Sequence, residues 1–309
     1  MRTAVLLAML LFSAPALAGE MPAEIAAAVK EIGPVIDPPK TAALFAPLQK
    51  KEPYAGVTVT RDERYSSDPR NRLDVFQPAR ADKALRPILI FVHGGAFTGG
   101  DKHPPGNVFY DNVMLWAVAN DMLGVNITYR LAPEHPYPAA AEDVAMAVQW
   151  TLENAAKFGG NPRRIFLMGH SAGAVHAATY VAHPEVQKVK GGGLAGAILV
   201  SGIYELTPQL AGPPERAYFG EDVSKWSERS SLKGLVAAKL PILAARGQLD
   251  PPVFTVQGDV LNSAMCAGAN GCPTYIVLQG QSHMSEIYAI NTVETRLTDA
   301  IKAFVTKIK

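Results

Sequence analysis

A serine set between glycines, Gly169-His170-Ser171-Ala172-Gly173, follows an apolar run over residues 165–168 and opens an Ala- and Val-rich stretch. A G-x-S-x-G sequence in that setting predicts strand, sharp turn and helix, with the hydroxyl of Ser171 pushed out of a sheet where it can act as a nucleophile. Glycines two before and two after the serine let neighbouring backbone come close. Serine at its free pKa is a poor nucleophile. Chemistry at Ser171 therefore needs an imidazole to take its proton and a carboxylate to fix the imidazole tautomer and stabilise its cation. Taken alone, the pentapeptide also describes a glycine-rich turn with a capping serine, so the partners decide.

Two later segments supply such partners. Residues 240–245 form an apolar run leading to Arg246-Gly247-Gln248-Leu249-Asp250, and residues 274–278 form another, ending in Gly280-Gln281-Ser282-His283. Both predict strands, which brings Ser171, Asp250 and His283 to the carboxyl ends of parallel strands, the edge of an open α/β sheet where ligands bind. Their order along the chain is the one expected for this elbow. Asp259 and Glu286 are alternative acids, but Asp259 stands beyond the strand end and Glu286 follows the base too closely in the chain. Among the other histidines, His170 is expected to point away from the serine and His93 to support its own loop. His103, His135, His176 and His183 fall in turns or helices and are expected to be structural or at the surface.

Residues 88–92 read as a strand buried on both faces and end in His93-Gly94-Gly95-Ala96-Phe97, with Gly99-Gly100-Asp101-Lys102 beyond. Such a turn can aim consecutive backbone N–H groups into one cavity, an arrangement suited to an oxyanion. A glycine loop needed only for chain reversal is the plainer alternative, and it loses weight beside the serine elbow.

The elements that must position these groups alternate between strand and helix. Alternation over 57–60 and 73–76 predicts two antiparallel strands joined at Ser67-Asp68-Pro69. A strand at 123–128 runs into Tyr129-Arg130-Leu131-Ala132-Pro133-Glu134-His135-Pro136-Tyr137-Pro138-Ala139, whose prolines forbid a regular element. Val144, Ala147, Val148, Thr151 and Leu152 then mark one face of a helix stopped by Gly159-Gly160-Asn161-Pro162. With the strand at 197–200, the expected fold class is α/β: a mostly parallel eight-stranded sheet with helices on both faces. Val293, Leu297, Ile301 and Phe304 predict an amphipathic last helix.

The chain divides into residues 1–18, an N-terminal helical extension over 19–51, and a main domain over 52–309. The extension is expected either to cap the site or to pack on the back of the sheet. Residues 203–239 have no strong period and are expected to form a partial lid or pocket wall, in which Tyr204, Tyr218, Phe219 and Trp226 could line an acyl or aryl pocket but are each expected rather to fill core. Arg2, an apolar run over 4–12 and Ala16-Leu17-Ala18 predict a cleaved export leader and a periplasmic or secreted protein. That run is too short to span a bilayer, and no later stretch reaches about 18 apolar residues, so no membrane anchor is expected.

A net charge of +1, falling to about zero without Arg2, leaves no basic field for nucleic acid. The 2 cysteines, Cys266 and Cys272, predict a local disulfide worth roughly 2 kcal/mol by loop closure. No further cysteine or nearby histidine completes a metal set around them. Gly191-Gly192-Gly193-Leu194-Ala195-Gly196 matches a dinucleotide fingerprint formally, but it follows a polar linker and opens a strand, so no dinucleotide is expected.

The chain resembles an α/β-hydrolase of the hormone-sensitive-lipase-like carboxylesterases, close also to the bacterial feruloyl-esterase and arylformamidase-like branch. His93-Gly94-Gly95-Ala96-Phe97, the 129–139 segment, Gly169–Gly173 around Ser171, Gly247-Gln248-Leu249-Asp250 and His283 carry the likeness. It implies a serine esterase acting on small-molecule esters without a cofactor, with Ser171, Asp250 and His283 as catalytic triad. The N–H groups of Gly94, Gly95 and Ala172 would form the oxyanion hole, and the 129–139 segment a supporting turn. Ala96 stands where many relatives have a third glycine or a bulkier residue, which bears on acyl or alcohol preference. An amidase, in particular an arylformamidase, could use the same apparatus, and a non-catalytic binding protein could use the same fold.

Overall fold

The computed structural model describes residues 19–80 and 85–308, and the expected leader over 1–18 lies outside the described residues. Two helices come first, α1 (Ala23–Ile32) and α2 (Pro38–Phe45). Asp37 caps the second by accepting from the N–H of Lys40 at 3.0 Å. Strands β1 (Val57–Arg64) and β2 (Arg72–Pro78) pair antiparallel. Then β3 (Arg86–Val92), α3 (Asp111–Ala119), β4 (Leu123–Ile127), α4 (Ala139–Asn154), β5 (Gly160–His170) and α5 (Ala172–Ala182) alternate, as parallel neighbours require. After β6 (Gly196–Val200) come the short helices α6 (Pro213–Phe219), α7 (Trp226–Arg229) and α8 (Leu232–Ala237). The chain ends with β7 (Ile242–Leu249), α9 (Pro252–Ala267), β8 (Thr274–Ser282), α10 (Ser285–Tyr288) and α11 (Arg296–Lys307).

The 8 strands form one sheet in the order β1-β2-β4-β3-β5-β6-β7-β8. Only the pairings of β2 with β1 and β4 are antiparallel. Side chains alternate along each central strand. Ile88, Ile90 and Val92 of β3 join one apolar cluster with α4, α5 and α9, while Leu89 and Phe91 join another with α3 and α11. The run of apolar residues at 88–92 is thus explained by burial on both faces.

The N-terminal extension packs on the second face, where Val29 and Phe45 are fully buried in the cluster containing Tyr288 and Ile290. Gln49 fastens its end by donating from Nε2 to the carbonyls of Tyr288 and Ile290, both at 2.9 Å. The link between α1 and α2 also reaches the site edge, as Ile36 lines the pocket that holds Ser171.

Two local expectations shift. The expected helix stop at Gly159-Gly160-Asn161-Pro162 contains the start of a strand, because Gly160 pairs with Arg86 beyond a register irregularity. Val293 precedes α11 and is 59% exposed, so it does not belong to the buried stripe of Leu297, Ile301 and Phe304. No helix among the described residues is long and apolar enough to cross a membrane.

Candidate active site

Strand register sets the site. Val92 pairs with Gly169, His170 with Val200 and Leu249 with Ser282. Just past these pairs stand His93, Ser171, Ser201, Asp250 and His283, all at one edge of the sheet. Backbone bonds extend the ladder there: Ser171 N–H donates to the Val200 carbonyl at 3.0 Å, and Ser201 N–H to the Ala245 carbonyl at 2.9 Å.

Ser171 has φ 55° and ψ −124°, a strained conformation for a non-glycine residue and one found at functional turns. Flanking glycines permit it. A Cβ on Gly169 would collide with the Gly173 carbonyl, and one on Gly173 with the Val92 carbonyl of the adjoining strand. The motif spacing is therefore a requirement of close backbone packing between β5, α5 and β3.

The loop after β3 lies against the serine, since a Cβ on Gly94 would stand 3.0 Å from the Ser171 Cβ and 3.1 Å from the His170 carbonyl. Gly95 has φ 142°, and its N–H, with those of Gly94 and Ala172, enters none of the turn and loop hydrogen bonds among the described residues. Supports surround the loop. His93 Nδ1 lies 2.7 Å from the Gly94 carbonyl, and burial holds this imidazole neutral, with its pKa lowered to about 4. The Tyr129 hydroxyl donates to the His93 carbonyl at 2.7 Å, and Arg70 bridges the Tyr129 and Gly100 carbonyls at 2.7 and 2.8 Å. Arg130 ties the segment after β4 to α4 through Asp143 at 2.8 Å. The 129–139 segment therefore buttresses the glycine loop.

Asp250 and His283 meet directly, with Asp250 Oδ1 3.0 Å from His283 Nδ1. Both are buried. The second carboxylate oxygen accepts from Ser201 Oγ at 2.6 Å and from Gly247 N–H at 2.9 Å, which fixes the carboxylate plane. The Phe254 ring centroid lies 4.2 Å from that of His283. His283 Nε2 is buried without a hydrogen-bond partner, so the bond from Ser171 to the imidazole is not closed here. Such bonds often tighten only around a substrate.

The competing acids stand elsewhere. Asp259 is engaged by Arg246 at 3.0 Å and by the Tyr275 hydroxyl at 2.5 Å. Glu286 is buried, and desolvation, reinforced by the nearby Asp250 charge, raises its pKa well above the usual carboxyl range. Its Oε1 lies 3.3 Å from His170 Nε2. Potential ligand atoms of His170, His283 and Glu286 fall within 4.8 Å of one another. Within this group His283 Nδ1 is engaged by Asp250 and His170 Nε2 by the His283 carbonyl, while neither carboxyl oxygen of Glu286 has a hydrogen-bond partner.

Sequence reading missed Ser201, whose only signal is a polar residue immediately after a fully apolar strand. It also left His170 without a task. The sulfurs of Cys266 and Cys272 lie 2.13 Å apart where α9 ends.

Ser171 opens into a cavity of about 470 Å³, walled by Phe97, Val175, Ile203, Val253 and Phe254 among others. Tyr204, Tyr218, Phe219 and Trp226 of the 203–239 segment are buried in core. That segment meets the cavity instead through Gln209, Leu210, Gly212, Pro214 and Glu215. A larger open cleft of about 720 Å³, lined by Asp62, Arg64, Arg70 and Lys102, contains none of the three aligned side chains.

A family model described as the alpha/beta hydrolase fold matches residues 89–282. Esterase LipI of Mycobacterium tuberculosis is 40% identical over 101 residues, 33% of this chain and 30% of LipI. Carboxylesterase NlhH of the same organism is 43% identical over 89 residues, 28% of this chain and 26% of NlhH. The chain thus spans less than a third of the length of these curated relatives. Among solved structures, Esterase B from Lactobacillus rhamnosis covers 92% of this chain and is itself covered to 96%, with a TM-score of 0.69 at 20% identity. The Pyrobaculum calidifontis esterase gives a TM-score of 0.67 at 20% identity, covering 94% of this chain and 100% of that one. At such identities the likeness concerns the fold.

Proposed function

Because this chain belongs to the alpha/beta hydrolase family, whose model spans residues 89–282, we propose that it is a serine carboxylesterase acting on small acyl or aryl esters through an acyl-enzyme. The observation carrying this reading is the Asp250–His283 pair, 3.0 Å apart, at the same sheet edge as the strained elbow serine. The esterase and carboxylesterase names of LipI and NlhH support ester chemistry.

In this mechanism Ser171 Oγ attacks the ester carbonyl while His283 Nε2 takes its proton. Negative charge develops on the carbonyl oxygen and is met by the N–H groups of Gly94, Gly95 and Ala172. Collapse expels the alcohol, which receives the proton from His283. Water, deprotonated by the same imidazole, then attacks the acyl-enzyme and releases the acid and free Ser171. Asp250 keeps the imidazole in the required tautomer and stabilises its cation, itself held by Ser201 and Gly247. The same reading makes residues 1–18 an export leader, Cys266–Cys272 an oxidised pair in a periplasmic or secreted protein, and 203–239 a partial lid over the 52–309 domain.

The test combines labelling with turnover. An active-site phosphonate should form an adduct at Ser171, and p-nitrophenyl esters of graded chain length should be hydrolysed faster than an N-formyl aromatic amine. Absence of an adduct at Ser171 would reject the serine mechanism, and faster cleavage of the formyl amide would move the assignment to an arylformamidase.

A further inference from the structure

The cavity beside Ser171 is lined mostly by apolar residues, with Ser171 and Gln209 as neutral polar members and Glu215 as the one acidic or basic side chain among its lining residues. The carboxyl is half-buried at the start of α6, over Gly212, where an added Cβ would stand 2.7 Å from Oε2. Glu215 and Gly212 both line the cavity. Burial raises its pKa, and the sole opposing influence is its own backbone N–H. Among the described residues, no lysine, arginine or histidine forms an ion pair with it, unlike the neighbouring Arg216, which pairs with Glu221 at 3.0 Å.

An unpaired carboxylate in such a wall is costly to desolvate and gains most from a cation brought in by a ligand. The same cavity is also lined by the aromatic residues Phe97 and Phe254 and the aliphatic residues Val175, Ile203 and Val253. These suit the carbon skeleton of the same ligand, and ring faces also favour an ammonium group.

We propose that Glu215 is a specificity-determining residue and that the preferred substrates are esters carrying a protonated amine some bonds from the scissile carbonyl. This rests on the serine-esterase reading above and names its substrate class. A charge-assisted contact of this kind favours the cationic ester by roughly tenfold or more in kcat/KM over an uncharged ester of the same shape.

Matched pairs test it near neutral pH. On the acyl side, methyl 4-(dimethylamino)butanoate is compared with methyl 5-methylhexanoate. On the alcohol side, 2-(dimethylamino)ethyl butyrate is compared with 3-methylbutyl butyrate. A cationic preference in either pair that collapses toward unity in Glu215→Gln supports the proposal. Phosphonate labelling of Ser171 in the variant verifies that its site is still formed. Preference for the hydrocarbon member in both pairs, or a cationic preference that survives Glu215→Gln, overturns the proposal while leaving the esterase reading intact. If neither member of any pair is hydrolysed and Ser171 takes no label, both readings fail together.

Discussion

His170 Nε2 lies 2.8 Å from the carbonyl oxygen of His283, so the residue before the elbow serine is fastened to the backbone that carries the proposed base. A carbonyl can only accept, which places the His170 proton on Nε2. Burial, aided by the adjacent His283 ring, lowers the His170 pKa well below the ordinary histidine value and keeps it neutral. His170→Phe keeps a ring but removes the donor, and it should lower kcat by roughly tenfold with little change in KM, because the bond orients the base. His170→Gln should recover part of that loss. Steady-state kinetics with both variants decide, and equal kcat in wild type and His170→Phe would refute the tether.

Loss of the acid should separate from loss of its support. Asp250→Asn is expected to reduce kcat by about 10⁴. Ser201→Ala removes the 2.6 Å bond to Oδ2 but leaves the Gly247 N–H in place. Bonds to charged groups contribute about 1.5–3 kcal/mol, so its kcat should fall by roughly ten- to a hundredfold. Rates on one ester under saturating conditions check the ranking.

Gly94→Ala would place a methyl 3.0 Å from the Ser171 Cβ and 3.1 Å from the His170 carbonyl, forcing the glycine loop away from the serine. Displacing one oxyanion donor costs about 10²–10³ in kcat. The variant should retain phosphonate labelling at Ser171, though more slowly, and a wild-type kcat would exclude these N–H groups from the reaction.

His176 is fully buried, with neither ring nitrogen hydrogen-bonded, among Phe97, Tyr129 and Tyr218. Burial lowers its pKa from 6.5 to about 3. Below 6.5 the unfolded chain takes up a proton that the folded chain refuses, so stability present above 6.5 is lost as pH falls toward about 3. His176→Phe should remove this share of the acid sensitivity and leave stability near neutral pH unchanged or slightly higher. Denaturant unfolding at several pH values measures it, and equal acid slopes for the two proteins would contradict the assignment.

The sheet was legible because its central strands contain apolar runs and β1 and β2 show alternation, and the parallel arrangement brings the ends of β3, β5, β7 and β8 to one edge. Asp250 and His283 could be found as polar residues just past such runs. Ser201 has the same placement but belongs to no motif, and its contact depends on the pairing of His170 with Val200, which hydropathy does not encode. Burial of Glu286 was equally hidden, because α10 is too short to show a period. Within 203–239, sequence gives aromatic content but not direction, and the rings turn inward while Gln209 and Glu215 face the cavity.

Ile36 gives the first helical pair a bearing on chemistry. Its side chain forms part of the wall near Ser171, while α2 packs on α10, immediately downstream of His283. Altering the joint between α1 and α2 would therefore reshape the entrance without touching any proton-transfer group. Selectivity could drift during evolution through a region remote in the chain from the nucleophile, leaving the reaction sequence itself undisturbed.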